Sequence, residues 1–188
     1  MKCNSNHHIK NKNLLVGNRI PKDFFITIGK GESDITIHAG SYHLALKQAD
    51  IEMCNIITYS SILPAISREV KRPKKLVHGS VMETIMAVAN CRKKESCIVG
   101  IIFGWLYDRK SNEKYGGLVC EYNGSLSEKM AEKQLKKSLN ELYTNGYSKK
   151  YSLKDTKIIL NSISPKKEFG TAIVALCFIN YIYPYLHD

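Results

Sequence analysis

The sequence predicts an α+β protein, a sandwich in which helices pack on an extended sheet system. Three observations lead there. Six strand-like stretches outnumber two helical ones. The helices fall singly among runs of strands instead of alternating with each of them. A chain of 188 residues that is 44% hydrophobic and 24% charged is one globular domain with a real core.

The elements follow in order. "DFFITIG" (23–29) reads as a strand. In "SYHLALKQADI" (41–51), Tyr42, Ala45, Leu46 and Ala49 recur at helical spacing and share one face. "CNIITYSSIL" (54–63), "SCIVGIIFGWLYD" (96–108) and "GGLVCEY" (116–122) read as strands. The polar "RKSNEKY" (109–115) joins the last two as a hairpin, with Ser111 and Asn112 as turn formers. In "SLSEKMAEKQLKKSLNELYTNG" (125–146), Ala131, Leu135, Leu139, Leu142 and Tyr143 form a second, longer helical face. Ser125 with Glu128 offers a capping box at its start, and Gly146 a stop. "TKIILNSIS" (156–164) and "GTAIVALCFINYI" (170–182) complete the strands. Residues 1–22 read as a flexible polar arm, and 23–188 as the folded domain.

Several function classes lose support here. No apolar run reaches the about 20 residues of a membrane helix, and the start lacks the apolar centre of a signal peptide. Six cysteines show no zinc-like spacing, and six histidines form no HxxxH or HExxH pair, so no metal is expected. Without an export signal, reduced thiols in a cytoplasm are the expectation. The formal net charge of +11 raises nucleic acid as a partner. Its lysines and arginines are scattered, however, and no nucleic-acid motif or stacking platform accompanies them, so solvated surface lysine is preferred.

One stretch resists a bland reading. In "CNIITYSSILPAI" (54–66) two serines interrupt an apolar run. A buried hydroxyl without a partner costs about 1–3 kcal/mol, so the pair lies at a bend or does chemistry. "NIITYSSILP" resembles the self-processing segment of the pyruvoyl-dependent arginine decarboxylases. "GKGESD" (29–34) resembles that family's glycine-rich acidic loop. "HGSVMETIMA" (78–87), "GGLVCEYNG" (116–124), "LKKSLNEL" (135–142) and "FGTAIVALCFIN" (169–180) resemble further stretches, in the same order from about residue 24 to 182.

The resemblance implies a four-layer αββα sandwich, self-cleaved into residues 1–60 and 61–188 and assembled as a homotrimer or a dimer of trimers, with active sites between neighbours. It implies that the Ser61 hydroxyl attacks the Ser60 carbonyl. Elimination and hydrolysis then leave a pyruvoyl cofactor in place of Ser61, an electron sink for the decarboxylation of an amino acid. Asn55 matches a family asparagine that assists cleavage; a polar residue at a strand edge is the other reading. Glu121 matches the proton donor, and its strand setting after Leu118, Val119 and Cys120 is expected to desolvate the carboxyl in part; a solvent-facing glutamate is the other reading.

At one position the match fails. His43 stands where family members carry the aspartate that binds the arginine guanidinium. A carboxylate offers that fork two parallel hydrogen bonds, whereas neutral histidine offers one acceptor and charged histidine none. Asp34, Asp50, Glu52 or Glu83 could substitute, or another amino acid could be the substrate. Arginine converted to agmatine remains the expectation, in the service of acid resistance or polyamine synthesis. The remaining alternative is an unprocessed homologue acting as a basic nucleic-acid-binding or scaffold protein.

Overall fold

The computed structural model describes residues 16–185. They form a single α+β domain, mostly strands with two helices, and none of its sheets closes into a barrel. In chain order the elements are β1 (Ile20–Pro21), β2 (Asp23–Ser33), a π turn (Ile37–Tyr42) leading into α1 (His43–Gln48), β3 (Asn55–Thr58), β4 (Ile62–Pro64) and β5 (Arg68–Glu69). Then come β6 (Val81–Arg92), β7 (Cys97–Asp108), β8 (Lys114–Gly124), α2 (Glu128–Gly146), β9 (Tyr151–Ile163), β10 (Phe169–Phe178) and β11 (Tyr181–Ile182).

The strands sort into a five-stranded sheet, ordered β3-β6-β10-β2-β5, a four-stranded sheet, β4-β8-β7-β9, and a two-stranded ribbon, β1-β11. Alternation along each strand divides the apolar side chains between faces. Ile85, Ala87, Ala172 and Val174 of the larger sheet share one buried cluster with Val99, Ile101, Phe103 and Val119 of the smaller. On the opposite face of the larger sheet, Phe25, Ile173 and Ala175 pack against Ala45, Leu46 and Ala49 of the α1 region. On the opposite face of the smaller, Ile102, Leu106 and Leu118 pack against Leu135 and Leu139 of α2.

The structure departs from the sequence reading in identifiable places. "GKGESD" is not a loop: β2 runs through it to Ser33. Its glycines serve close packing, because a Cβ on Gly29 would collide with the Ala45 carbonyl oxygen and one on Gly31 with the Ser41 carbonyl oxygen. β6 lies in a stretch to which the sequence reading assigns no element. Both of its faces are apolar, so it lacks the polar–apolar alternation that marks a half-exposed strand. α2 begins after Ser127 rather than Ser125 and has no side-chain cap bond. The strand expected over 170–182 breaks at Ile179–Asn180, and its tail forms β11.

Of the arm expected over residues 1–22, residues 1–15 lie outside the described residues. The rest is fastened to the other end of the chain: Val16 bridges Tyr185, and Ile20 and Pro21 pair with Ile182 and Tyr181. Among the described residues no helix is long and apolar enough to cross a membrane.

Candidate active site

The serines sit where the chain passes from one sheet to the other. The single strand expected over 54–63 is in fact two. β3 lies parallel to β6 in the larger sheet, and β4 antiparallel to β8 in the smaller. Tyr59, just past β3, donates its N–H to the Thr84 carbonyl at 2.7 Å. Ser61, just before β4, accepts the Val119 N–H on its carbonyl at 3.0 Å. Between these anchors the Ser60 carbonyl accepts the Ile62 N–H at 3.0 Å, a three-residue turn centred on Ser61. Ser60 is exposed and Ser61 half-buried. The hydroxyls therefore do lie at a bend, which relieves the burial problem that the sequence raises.

The same bend carries a chemical pair. The Ser61 Oγ–H donates to Glu121, with 2.9 Å to each carboxylate oxygen. Glu121 lies on β8 opposite Ile101 of β7, and it shares a strand face with Val119, a member of the cluster between the sheets. The partial desolvation expected of it does not occur within the single chain, where Glu121 is exposed. The reason is the shortness of β4, whose pairing with β8 ends at Leu118 and leaves that edge of the strand open beyond Val119. The adjacent Cys120 thiol is pushed up to about 11, by burial first and by the Glu121 carboxylate second, so it stays protonated and is no rival nucleophile.

Asn55 opens β3, opposite Val81. Its Nδ2 donates to the Gly79 carbonyl at 2.9 Å and its backbone N–H to the Ser80 carbonyl at 2.8 Å. It fastens β3 to the turn before β6 and makes no hydrogen bond to Ser60 or Ser61. His43 begins α1, which packs against β2 and β10, and it is exposed. It makes no hydrogen bond or ion pair with Asn55, Ser60, Ser61 or Glu121. The single chain thus brings Ser61 and Glu121 together and leaves Asn55 and His43 apart from them.

The four alternative carboxylates differ in their commitments. Asp50 pairs with Arg72 at 3.0 Å, and Asp34 with Lys167 at 3.7 Å and the Glu168 N–H at 3.3 Å. Glu83 is buried and is held by Arg19 and Tyr59. Glu52 has a buried carboxylate oxygen with no partner.

The sequence reading names Glu83 only as a stand-in carboxylate and misses the cluster around it. Tyr59 reads there as a strand residue and Arg19 as part of an arm, yet both converge on one buried carboxylate. The available signal was a glutamate inside the apolar "VMETIMAVA", since a buried charge has to find partners.

Comparison with known proteins places the chain among relatives. The model of the pyruvoyl-dependent arginine decarboxylase family matches residues 23–183. The pyruvoyl-dependent arginine decarboxylase AaxB of Chlamydia muridarum is 33% identical over 187 residues, covering 88% of this chain and 94% of that protein. AaxB of Chlamydia pneumoniae is 33% identical, with 89% and 95% covered. Pyruvoyl-dependent arginine decarboxylase 2 of Archaeoglobus fulgidus is 28% identical, with 85% and 98% covered.

Proposed function

The chain belongs to the pyruvoyl-dependent arginine decarboxylase family, a family of carboxy-lyases, and we propose that it cuts its own backbone between Ser60 and Ser61 and then converts L-arginine to agmatine and carbon dioxide. The observation that carries this reading is the hydrogen bond from the Ser61 hydroxyl to Glu121, at the bend between the two sheets. A nucleophilic hydroxyl needs a base, and a carboxylate that already accepts its proton is one.

The cleavage balances as follows. The Ser61 Oγ forms a bond to the Ser60 carbonyl carbon, the peptide C–N bond breaks, and the hydroxyl proton ends on the freed nitrogen. The Ile62 N–H, held on the Ser60 carbonyl oxygen, stabilises the charge that develops there. Loss of the Cα proton of residue 61 breaks its Cβ–Oγ bond and frees residues 1–60 with a carboxylate at Ser60. Water then replaces the nitrogen of residue 61 and releases ammonia, leaving a pyruvoyl group at the head of 61–188.

The residues present fit that group: a serine at the turn, against the open edge of β8, beside a carboxylate. Bound there, it supplies an electron sink for the carbanion formed as carbon dioxide leaves. Glu121 acts as the proton donor to that carbon, since it already stands within hydrogen-bond distance of the side chain at position 61. Asn55 assists by holding β3 against the Gly79 turn, so that the strand leading into Ser60 enters on one line.

For the substrate's guanidinium, His43 is a poor partner, and Glu52 is assigned the role because its carboxylate is uncommitted. A different amino acid as substrate is the second reading, favoured only by His43. The three buried clusters support a four-layer αββα arrangement. Exposed Ile57, Ile62, Val77 and Val81, on or just before strands beside the serines, support a homotrimer, stacked in pairs or not, that covers them and completes each site between neighbours. The unpaired thiols of the five described cysteines fit a cytoplasmic place. The family match over residues 23–183 supports a domain at 23–188, to which the β1-β11 pairing adds Ile20 and Pro21.

The intact mass of purified protein tests this. Two pieces split at Ser60–Ser61, the larger without a free amino end, support the enzyme; one unbroken chain supports a scaffold or nucleic-acid-binding homologue instead.

A further inference from the structure

Glu83 is a charge in an expensive position. Its side chain is only 3% exposed, on a strand whose other side chains are largely apolar. Burying a carboxylate costs several kcal/mol unless partners offset it, and a packed apolar residue of similar size is commonly no worse for stability. Two partners are present. Arg19 pairs with it, its Nε donating to one carboxylate oxygen at 3.2 Å, and the Tyr59 hydroxyl donates to that same oxygen. The Arg19 guanidinium also lies over the Tyr181 ring at 5.6 Å. The Tyr181 hydroxyl is itself pushed up to about 12, chiefly by burial, and so stays neutral.

What this cluster holds is the residue before the bond to be cut. Ser60 is exposed, and its own hydroxyl makes no hydrogen bond to another described residue. The direction in which its carbonyl faces the Ser61 Oγ is therefore set by its neighbours. Downstream, Ser61 is tied to β8 of the smaller sheet through Val119. Upstream, Tyr59 is tied to the larger sheet at three points. Its N–H bonds to Thr84, its ring tilts against Phe178 at 5.6 Å, and its hydroxyl bonds to Glu83. Removing the last of these leaves the ring packed but free to swing, and the Ser60 peptide turns with it.

We propose that Glu83, acting through Tyr59 and charge-balanced by Arg19, is a positioning residue for self-cleavage. This rests on the cleavage at Ser60–Ser61 proposed above. Arg19 immediately precedes β1, and Tyr181 belongs to β11, so the cluster gathers both described ends of the chain onto the scissile segment. Cleavage then waits until the β1-β11 ribbon has formed, and a half-folded chain keeps its serine.

The test follows freshly translated full-length chains as they turn into two pieces on a gel, with melting measured separately in a Ser61→Ala background where nothing cleaves. Tyr59→Phe keeps the ring and loses only the hydroxyl; cleavage slows about tenfold or more. Glu83→Gln keeps an oxygen to accept the Tyr59 hydroxyl and retains part of the rate, whereas Glu83→Leu falls at least as far as Tyr59→Phe. Leu139→Ala, in the core beneath α2, serves as the control and cleaves at the wild-type rate despite a lower melting temperature. Wild-type speed in Tyr59→Phe overturns the proposal, as does equal slowing in Leu139→Ala. If Glu83→Leu does not fold, Tyr59→Phe decides alone. An unbroken wild-type chain overturns the cleavage reading and this inference together, whereas a defect of the inference alone leaves the wild type cleaved.

Discussion

Ser61 and Glu121, 60 residues apart in sequence, meet with the hydroxyl oxygen 2.9 Å from each oxygen of the carboxylate. Neither residue has a second hydrogen-bond partner through its side chain among the described residues, so the contact is not part of a wider stabilising network. Ser61→Ala removes the nucleophile and little else, since Ser61 is only half-buried. The expected product is a folded, single chain of full mass with melting close to wild type. A cleaved Ser61→Ala protein would show that the cut lies elsewhere.

Glu121→Gln separates cleavage from turnover. The amide oxygen still aims the Ser61 hydroxyl but is no base for it, so the chain still divides, only much more slowly. An amide cannot give up a proton to the substrate carbon, and turnover falls about a hundredfold or more. Carbon dioxide release per cleaved chain is the measurement. Normal release from cleaved Glu121→Gln would remove that residue from the reaction.

His43→Asp asks whether the departure at position 43 weakens arginine binding. A carboxylate there adds a bidentate partner for the guanidinium, and kcat/KM for arginine rises about tenfold, carried by KM. Glu52→Gln moves KM the other way. Activity over a panel of amino acids, with both variants beside the wild type, checks the pair. A His43→Asp enzyme without any gain would dissociate position 43 from specificity.

Local pattern carried some of this fold and long-range pairing carried the rest. The α2 core face was legible because Ala131, Leu135 and Leu139 repeat at helical spacing and all three are buried. β6 was not, because Met82, Met86 and Val88 face one apolar cluster while Ile85, Ala87 and Ala89 face another. The break within 54–63 was hidden for a related reason: both halves are apolar strands, and only their partners, β6 and β8, reveal that they belong to different sheets. At the site, Ser60, Ser61 and Glu121 were legible one by one as residues of a matched motif. Their proximity was not, and neither was the convergence of Arg19 on Glu83 across 64 residues of sequence.

Gly29 offers a test of how tightly the α1 region sits on β2. A methyl group at that position meets the Ala45 carbonyl oxygen, which is helix backbone and cannot rotate away. Overpacking of this kind costs about 3 kcal/mol at the upper end of its range, or roughly 6–12 °C in melting temperature for a domain of this size. Thermal melting of Gly29→Ala in the Ser61→Ala background measures it. A variant that melts within a degree of its parent would mean that the helix is free to lift from the strand.

The last prediction concerns acid. Asp23 is buried at the start of β2, and its carboxyl is held below the usual carboxylate range, by Arg68 first and Asn180 second, against the opposing effect of burial. Arg68 donates to Oδ1 and Asn180 to Oδ2, each at 2.7 Å, and the Asn180 side-chain oxygen accepts the Asp23 N–H in return at 2.9 Å. A carboxyl whose pKa is lower folded than unfolded stabilises the fold most fully above the unfolded value of about 3.9. That stability drains away as pH falls from there through the folded value. Asp23→Asn has no such charge to lose. Its melting temperature should lie below wild type by a constant margin at neutral pH, and the margin should narrow once pH drops below about 4. A margin that stays the same from neutral pH down to about 3 would mean that the contact with Arg68, whose side chain is 66% exposed, contributes nothing through its charge.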